Sequence, residues 1–170
     1  CFLPSVLKGK NIPCLIPLAI DQDAHFRITR DIMPRLGYYK PALIHQRFLP
    51  SLMGSGKMSA SEGVQIWTTD GPEEVAKKIR KYAFSGGADT VEEHRKNGGN
   101  PDIDASYQWL TFFEEDDKKL EKIYHDYKSG KLLSGELKQI LIDTLNVFLK
   151  EHQAKREKAR KVLDKFVVKD

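Results

Sequence analysis

The first third of the chain alternates short apolar runs with one amphipathic segment. Residues 14–20 form an almost unbroken apolar run that ends at Asp21, which is typical of a parallel strand buried on both faces. A mixed helical pattern follows, and Pro34 and Gly37 are predicted to end it. Residues 41–45 form a second strand candidate. A strand, a helix and a strand within about 35 residues predict a βαβ unit and a parallel sheet.

The pattern changes near residue 70. Residues 47–69 read mainly as loop, with a short extended piece at 64–67, and beyond them apolar residues recur at helical spacing. We predict helix starts at Asp70, with Glu73 closing a capping box, at Thr90 and at Ser134, an aromatic-rich helix at 106–113, and a helix that Gly130 closes. The chain is therefore predicted to be α/β over residues 1–69 and all-helical over residues 70–170.

Composition narrows the function classes only slightly. The 170 residues carry a net charge of +4, which permits a polyanionic partner but does not require one. The two cysteines, Cys1 and Cys14, form no disulfide framework, which favours a reducing compartment, and Cys14 is expected to be a buried free thiol. Every apolar run is well short of the ~20 residues that a membrane span needs, so no membrane partner is expected.

Polar residues follow the first predicted strand. Asp21, Gln22 and Asp23 lie at its carboxyl end, where ligands bind in open parallel sheets. Gln22 offers donors and an acceptor, so it can orient a small polar ligand. Asp21 or Asp23 can equally be a helix N-cap, which is the commoner use of aspartate at such a position.

A second candidate is the loop Gly-Ser-Gly-Lys-Met-Ser-Ala-Ser at residues 54–61. The ammonium group of Lys57 suits a phosphate whose negative charge grows during a reaction. Glycines allow backbone N–H groups to approach phosphate oxygens, and Ser59 and Ser61 can donate further hydrogen bonds. On composition alone, a solvated flexible loop is the favoured interpretation.

The loop sequence resembles a family signature. Residues 57–61, KMSAS, resemble the KMSKS motif of class I aminoacyl-tRNA synthetases in the form found in eukaryote-type tryptophanyl-tRNA synthetases, and AIDQD at 19–23 is similar to that family's strand end. Further stretches resemble its helical domain in unbroken order: AFSGG (83–87), EEHR (92–95), GGN (98–100), Asp102 and Asp104, LTFF (110–113), EDD (115–117) and EHQ (151–153). The chain thus resembles the C-terminal portion of this family, eukaryote/archaeal type, with the tyrosine-specific family as the near rival.

The resemblance implies a fold and an activity. The fold is the second half of a Rossmann-like parallel-sheet catalytic domain, which carries the lysine loop, followed by an all-helical anticodon-binding domain. The activity is ligation of tryptophan to tRNA(Trp): tryptophan is first activated with ATP and Mg²⁺ and then transferred to the tRNA. A cytoplasmic homodimer is expected. The alternatives are a tyrosyl-tRNA synthetase relative and a non-catalytic RNA-binding or regulatory fragment of the same fold.

The resemblance also assigns residues. It makes Lys57, Ser59 and Ser61 catalytic, and it assigns ATP binding to these three residues together with Met58. It assigns tryptophan binding to Gln22, Leu18 and Phe26. The residues that it assigns to tRNA binding are Asp89, Arg80, Lys81 and Arg95. No residue is expected to ligate a metal. Asp89 can instead share an N-cap with Thr90. An aromatic set is predicted to be core rather than a stacking surface for bases: Tyr107, Trp109, Phe112 and Phe113.

Two departures from the family pattern limit what the chain is expected to do alone. Ala60 replaces the second lysine of the signature, and no histidine pair matches the family's HIGH-type motif, which binds ATP phosphates. The five histidines are expected to be structural or on the surface. Because the chain starts at Cys1 with sequence typical of a domain interior, we expect a fragment that does not aminoacylate by itself.

Overall fold

The computed structural model describes residues 1–54, 56–59, 61 and 63–167. Ala60, which departs from the family signature, lies outside this part of the chain. The chain forms two compact units, Cys1–Phe48 and Leu49–Asp170. The sequence predicted a domain boundary between residues 69 and 70, whereas the segment that carries the lysine loop packs with the helices that follow it.

The first unit contains the predicted βαβ arrangement. Its elements are helix α1 (Leu3–Lys8), strand β1 (Leu15–Ala19), helix α2 (Asp23–Ile32) and strand β2 (Ala42–Gln46). The strands are parallel, with Leu15 opposite Ala42 and Ala19 opposite Gln46, which confirms the predicted parallel sheet. Residues 33–36 form a 3₁₀ turn after α2, and Gly37 follows it at φ 80°, in the left-handed region that glycine favours.

The two strands are covered on one face. Leu18 on β1 is buried, whereas Leu15 and Ile44 are 59% and 49% exposed on the opposite face. The prediction that β1 is buried on both faces is therefore wrong for the chain described here. An apolar run shows that a strand can be buried, but it does not show how many layers cover the sheet.

The second unit is helical. Its elements are α3 (Pro72–Tyr82), α4 (Val91–Asn97), α5 (Ala105–Phe113), α6 (Asp117–Lys128) and α7 (Ser134–Arg160). Helices α3 and α5 pack against α7, around a core that includes Trp109, Tyr127 and Leu141. The helices match those predicted from apolar spacing. Residues 64–67, predicted to be extended, form no strand.

One predicted helix cap is confirmed and two are wrong. The Thr90 hydroxyl accepts a hydrogen bond from the Glu93 N–H (3.2 Å), as predicted. The Asp70 carboxylate does not cap α3, whose N-cap residue is Gly71. Asp70 lies one residue before the N-cap, and its carboxylate instead pairs with the Lys78 ammonium at 2.6 Å and accepts from the Trp67 N–H at 2.9 Å.

Ser134 is likewise not an N-cap, since α7 begins at this residue. The Glu136 carboxylate accepts a hydrogen bond from the Leu133 N–H at 2.7 Å and so gives this backbone donor at the start of α7 a partner. The Ser134 hydroxyl lies 2.9 Å from the Tyr127 hydroxyl and belongs to a buried network instead.

Most of the predicted aromatic core is confirmed. Trp109 is 2% exposed, and Tyr107 and Phe113 are partly buried against the same core. Phe112 is 41% exposed, so it is an exception. Cys14 is a free thiol, as predicted, but it is only partly buried.

Within residues 1–54, 56–59, 61 and 63–167, no helix is both long and apolar enough to cross a lipid bilayer.

Candidate functional site

The end of β1 presents the predicted ligand-binding side chains of the first unit. A 3₁₀ turn over Ile20–Gln22 joins β1 to α2. The Gln22 side chain is exposed, and its Nε2 donates to the Asp21 carboxylate at 3.3 Å. Leu18 is buried and Phe26 is half-buried. The Gln22 amide is therefore accessible at the carboxyl end of β1, whereas Leu18 is covered within the unit.

Asp23 links the two strand ends of this unit. Its carboxylate lies 2.6 Å from Arg27 Nε and 2.9 Å from Nε2 of His45, a residue of β2. It does not cap α2, whose N-cap residue is Gln22 without a side-chain bond, so that alternative is wrong for Asp23. The hydrogen bond from Arg27, and then that from His45, hold the pKa of Asp23 below its usual value. Asp23 therefore fixes α2 to the carboxyl end of β2.

This contact predicts a pH-dependent contribution to stability. Because the folded-state pKa of Asp23 is lowered, its stabilisation is present above the unfolded pKa of about 3.9 and is lost as pH falls through the folded value. Asp23→Asn should therefore give a small loss of unfolding free energy at pH 7 that shrinks toward pH 3. Urea unfolding across this range measures the difference. Asp31→Asn, an exposed position of the same helix, is the control, and an equal pH dependence in both variants would contradict the assignment.

The lysine loop is a tight turn with antiparallel pairing at its base. Met58 N–H donates to the Leu49 carbonyl (2.8 Å), and Lys57 pairs with Pro50 in an antiparallel bridge. Gly54 and Gly56 have φ angles of 81° and 72°, which residues with a Cβ rarely adopt. The turn leaves the Lys57 side chain exposed.

Ser59 and Ser61 of the loop lie together. Their Oγ atoms are 3.1 Å apart, and the Ser61 N–H donates to Ser59 Oγ at 3.3 Å. Met58, which lies between Lys57 and Ser59 in the sequence, is partly buried and packs against the core of the second unit. A cation, two hydroxyls and a backbone anchored by Met58 therefore occupy one short segment.

Contacts with the helices hold the base of this loop. Leu52 is fully buried in the helical core, and its carbonyl accepts from Phe84 N–H at 2.8 Å. Trp109 Nε1–H donates to the Pro50 carbonyl at 2.8 Å. A Cβ at Gly54 would lie 2.6 Å from the Phe84 ring, so this position requires glycine. These contacts explain why the loop belongs to the second compact unit.

The residues predicted to contact tRNA lie on α3, just before α4 and on α4. Asp89 is exposed and lines a depression of about 410 Å³ that Val91 and Glu136 also border. Arg80 Nη2 donates to Gln139 Oε1 at 2.9 Å. Lys81 lies over the Tyr82 ring, 5.0 Å from its centroid.

Arg95, also predicted to contact tRNA, donates to the backbone carbonyls of Gly130 and Lys131. It thus holds the turn between α6 and α7. Its role as a phosphate contact stays a prediction.

A buried carboxylate supports the segment that precedes Asp89. Asp104 is 1% exposed; its Oδ1 accepts from the N–H groups of Ser106 (2.8 Å) and Tyr107 (3.3 Å). Its Oδ2 accepts from the Gly86 N–H (2.9 Å) and the Tyr127 hydroxyl (2.8 Å). Burial, above all, raises the pKa of Tyr127, so this phenol stays protonated and continues to donate.

His94 completes the packing beneath the depression. It is 2% exposed, its Nε2 lies 2.9 Å from the Leu132 carbonyl, and its ring packs on Tyr127 with centroids 5.1 Å apart. The expectation that this histidine is structural is confirmed. A Cβ at Gly87 or Gly99 would lie under 3.0 Å from the His94 ring, which explains the glycines on both sides of it.

Comparison with known proteins identifies the family. Residues 7–150 match the family model described as tRNA synthetases class I (W and Y). The chain belongs to this synthetase family. It is 60% identical over 156 residues to a tryptophan–tRNA ligase of Sulfurisphaera tokodaii, which covers 90% of this chain and 41% of the relative. It is 54% identical over 169 residues to the cytoplasmic tryptophan–tRNA ligase of Saccharomyces cerevisiae, with 97% and 39% covered.

A solved structure agrees. Tryptophanyl-tRNA synthetase from Aeropyrum pernix aligns with a TM-score of 0.83 at 36% identity, over 92% of this chain and 44% of that one. The chain thus spans less than half the length of the synthetases it matches. The predicted resemblance to tryptophanyl-tRNA synthetases is confirmed, and the tyrosine-specific alternative is not favoured.

The donor set of the loop suits an anion better than a protein-bound metal. Within the described ranges, no group of three or more His, Cys, Asp or Glu side chains is arranged to hold a metal ion. Lys57, Ser59 and Ser61 offer a positive charge and hydroxyls, which suit phosphate oxygens. Mg²⁺ commonly binds through substrate phosphates and keeps several waters, so it does not require a dedicated protein site.

Sequence reasoning missed the anchor of this synthetase loop. Trp109 was predicted to be core, but its hydrogen bond to Pro50 joins residues 59 positions apart, and no local pattern indicates it. The sequence singles out Asp104 only through the family resemblance, and it does not predict that Asp104 is buried. The sole sequence signal for it was an aspartate directly before an apolar helix, which is common at N-caps.

Proposed function

We propose that this chain contributes the lysine loop and the tRNA-binding helices of a tryptophan–tRNA ligase. The observation that carries the proposal is the KMSAS loop, which exposes Lys57 while its base is hydrogen-bonded to a helical core. The chain's relatives at 54–60% identity are tryptophan–tRNA ligases, which supports tryptophan over tyrosine as the amino acid.

In the proposed reaction, the tryptophan carboxylate attacks the α-phosphorus of ATP and pyrophosphate leaves. The protein contributes mainly position and charge, as is general for phosphoryl and nucleotidyl transfer. Lys57 would neutralise charge that develops on the departing pyrophosphate, and Mg²⁺ would enter with ATP. Met58, Ser59 and Ser61 would hold the loop against the phosphates. Transfer of tryptophan to the 3′ end of tRNA(Trp) follows.

The remaining proposed roles are tryptophan binding in the first part of the chain and anticodon binding in the helical part. Gln22 would bind the polar end of tryptophan, with Leu18 and Phe26 at the indole. Residues 1–69 would complete a Rossmann-like catalytic domain, and residues 70–170 would bind the anticodon. The name of the yeast relative supports a cytoplasmic location. We propose a homodimer, as the family resemblance implies.

A chimera tests the proposal. The matching segment of the Saccharomyces cerevisiae enzyme would be replaced by this chain, and tryptophan-dependent ATP–pyrophosphate exchange and charging of tRNA(Trp) would be measured. We expect both activities with tryptophan and neither with tyrosine. A folded chimera that charges nothing would favour the non-catalytic alternative, and activation of tyrosine would favour the tyrosine-specific one. We expect no charging by the 170 residues alone.

Asp89→Ala tests the proposed tRNA surface. A carboxylate can accept a hydrogen bond from an exocyclic base amine, and losing one such contact typically weakens binding by about tenfold. We expect KM for tRNA(Trp) to rise by this factor in the chimera, with ATP–pyrophosphate exchange unchanged. Glu92→Ala, which removes an exposed carboxylate from α4, is the matched control. Equal changes in both variants would indicate a general charge effect rather than a contact of Asp89.

A further inference from the structure

We propose that Trp109 is a positioning residue that sets the register of the lysine loop. Trp109 Nε1–H donates to the Pro50 carbonyl at 2.8 Å, and Pro50 is the residue that pairs with Lys57 across the base of the loop. One side chain of the helical core is therefore bonded directly to the backbone opposite the lysine. The catalytic consequence of this contact rests on the proposed function, whereas its effect on the loop does not.

The loop needs such an anchor because its own sequence is flexible. Glycine and serine residues give it many accessible backbone conformations. A charge that stabilises a transition state must be held closely in place, since a displacement of about 1 Å can cost about a hundredfold in rate. Hydrogen bonds within the turn define its shape, but only contacts with a rigid element define its position.

Trp109 itself is rigidly held. It is 2% exposed on α5, and its ring stacks on Phe113 with centroids 6.0 Å apart. A buried indole N–H requires an acceptor, and here the acceptor is the Pro50 carbonyl. An aromatic ring without the N–H group would be sufficient for packing alone. The indole N–H adds a directional hydrogen bond to the packing contact.

A second contact fixes the loop from its other side. Phe84 N–H donates to the Leu52 carbonyl, and the Phe84 ring covers Gly54 so closely that a Cβ would overlap it. The Phe84 carbonyl in turn accepts from the N–H of Ala105, the first residue of α5. Both anchors of the loop thus lead to the same helix.

Amide hydrogen exchange of the 170-residue chain tests the anchor without reference to activity. In Trp109→Phe, the N–H groups of Ser51 and Met58, which pair within the loop base, should exchange about fivefold faster, as expected for loss of one hydrogen bond. Thr111→Val removes a side-chain hydrogen bond to Gln108 on the same helix and should leave these amides unchanged. Uniform acceleration throughout the second unit, or none at Ser51 and Met58, would overturn the proposal.

Kinetics of the chimera test the consequence. Trp109→Phe should lower kcat for ATP–pyrophosphate exchange by about tenfold with KM for tryptophan unchanged, because a displaced lysine loses interactions made in the transition state. Gly54→Ala pushes the loop off Phe84 while leaving Trp109 intact, and it should show the same split. An inactive parent chimera would refute the proposed function. The amide hydrogen-exchange result would then decide by itself whether Trp109 anchors the loop. Unchanged kcat in both variants would overturn the positioning role.

Discussion

In the chimera, Lys57→Ala should lower the rate of tryptophan-dependent ATP–pyrophosphate exchange by roughly two to three orders of magnitude, while the affinity for tryptophan stays nearly constant. Removing one preorganised group that stabilises developing charge typically costs about 2.7–4 kcal/mol of transition-state stabilisation. Lys57 is exposed at the base of a shaped turn, so its removal leaves no cavity in the core. Steady-state exchange and equilibrium titration with tryptophan provide the two measurements.

Two variants make this result specific. Lys122→Ala removes an exposed lysine from α6 in the same unit and should leave exchange unchanged. Lys57→Arg keeps the charge but changes its shape and hydration, so it should restore part of the lost rate. If Lys57→Ala weakens tryptophan binding and exchange by the same small factor, the lysine does not act on the departing pyrophosphate.

Asp104→Ala should destabilise the second unit by about 3–5 kcal/mol, because each buried donor that loses its acceptor costs about 1–3 kcal/mol. The carboxylate accepts four hydrogen bonds while 1% exposed, and its loss removes an acceptor from both the Gly86 N–H and the Tyr127 hydroxyl. It also removes the cap of α5. Urea unfolding at pH 7 measures the loss, with a probe in the helical unit.

The neighbouring aspartate provides the control. Asp102 is exposed and accepts one hydrogen bond from Tyr124 at 3.2 Å, so Asp102→Ala should cost less than about 1 kcal/mol. Asp104→Asn keeps the shape and one acceptor, and its effect should lie between the other two. Similar losses for Asp102→Ala and Asp104→Ala would show that burial of the network has been overestimated.

Local patterns predicted the elements of this chain well. The apolar run before Asp21, the Pro34–Gly37 stop signal and the apolar spacing of α7 each correspond to observed elements. Thr90 caps α4 as its position indicates. These features depend on interactions between residues a few positions apart, which the sequence displays directly.

Features set by side-chain contacts beyond the helix-cap positions escaped prediction. The side chains of Asp70 and Ser134 contact Lys78 and Tyr127, eight and seven positions away, and do not cap helices. The unit boundary precedes the lysine loop because Leu52 is buried among the helices, a contact that no local pattern indicates. The site residues themselves came from the family signature, since loop composition alone favours an unstructured linker.

A lysine-directed acyl phosphate derivative of ATP, which acylates amines close to the nucleotide's phosphates, tests the central claim most directly. Applied to the chimera and mapped by mass spectrometry, it should modify Lys57, and excess ATP should prevent that modification. Lys122 should react equally with and without ATP. Modification of Lys57 that ATP does not suppress, or ATP-protected labelling elsewhere with Lys57 unmodified, would contradict the claim that this lysine meets the triphosphate.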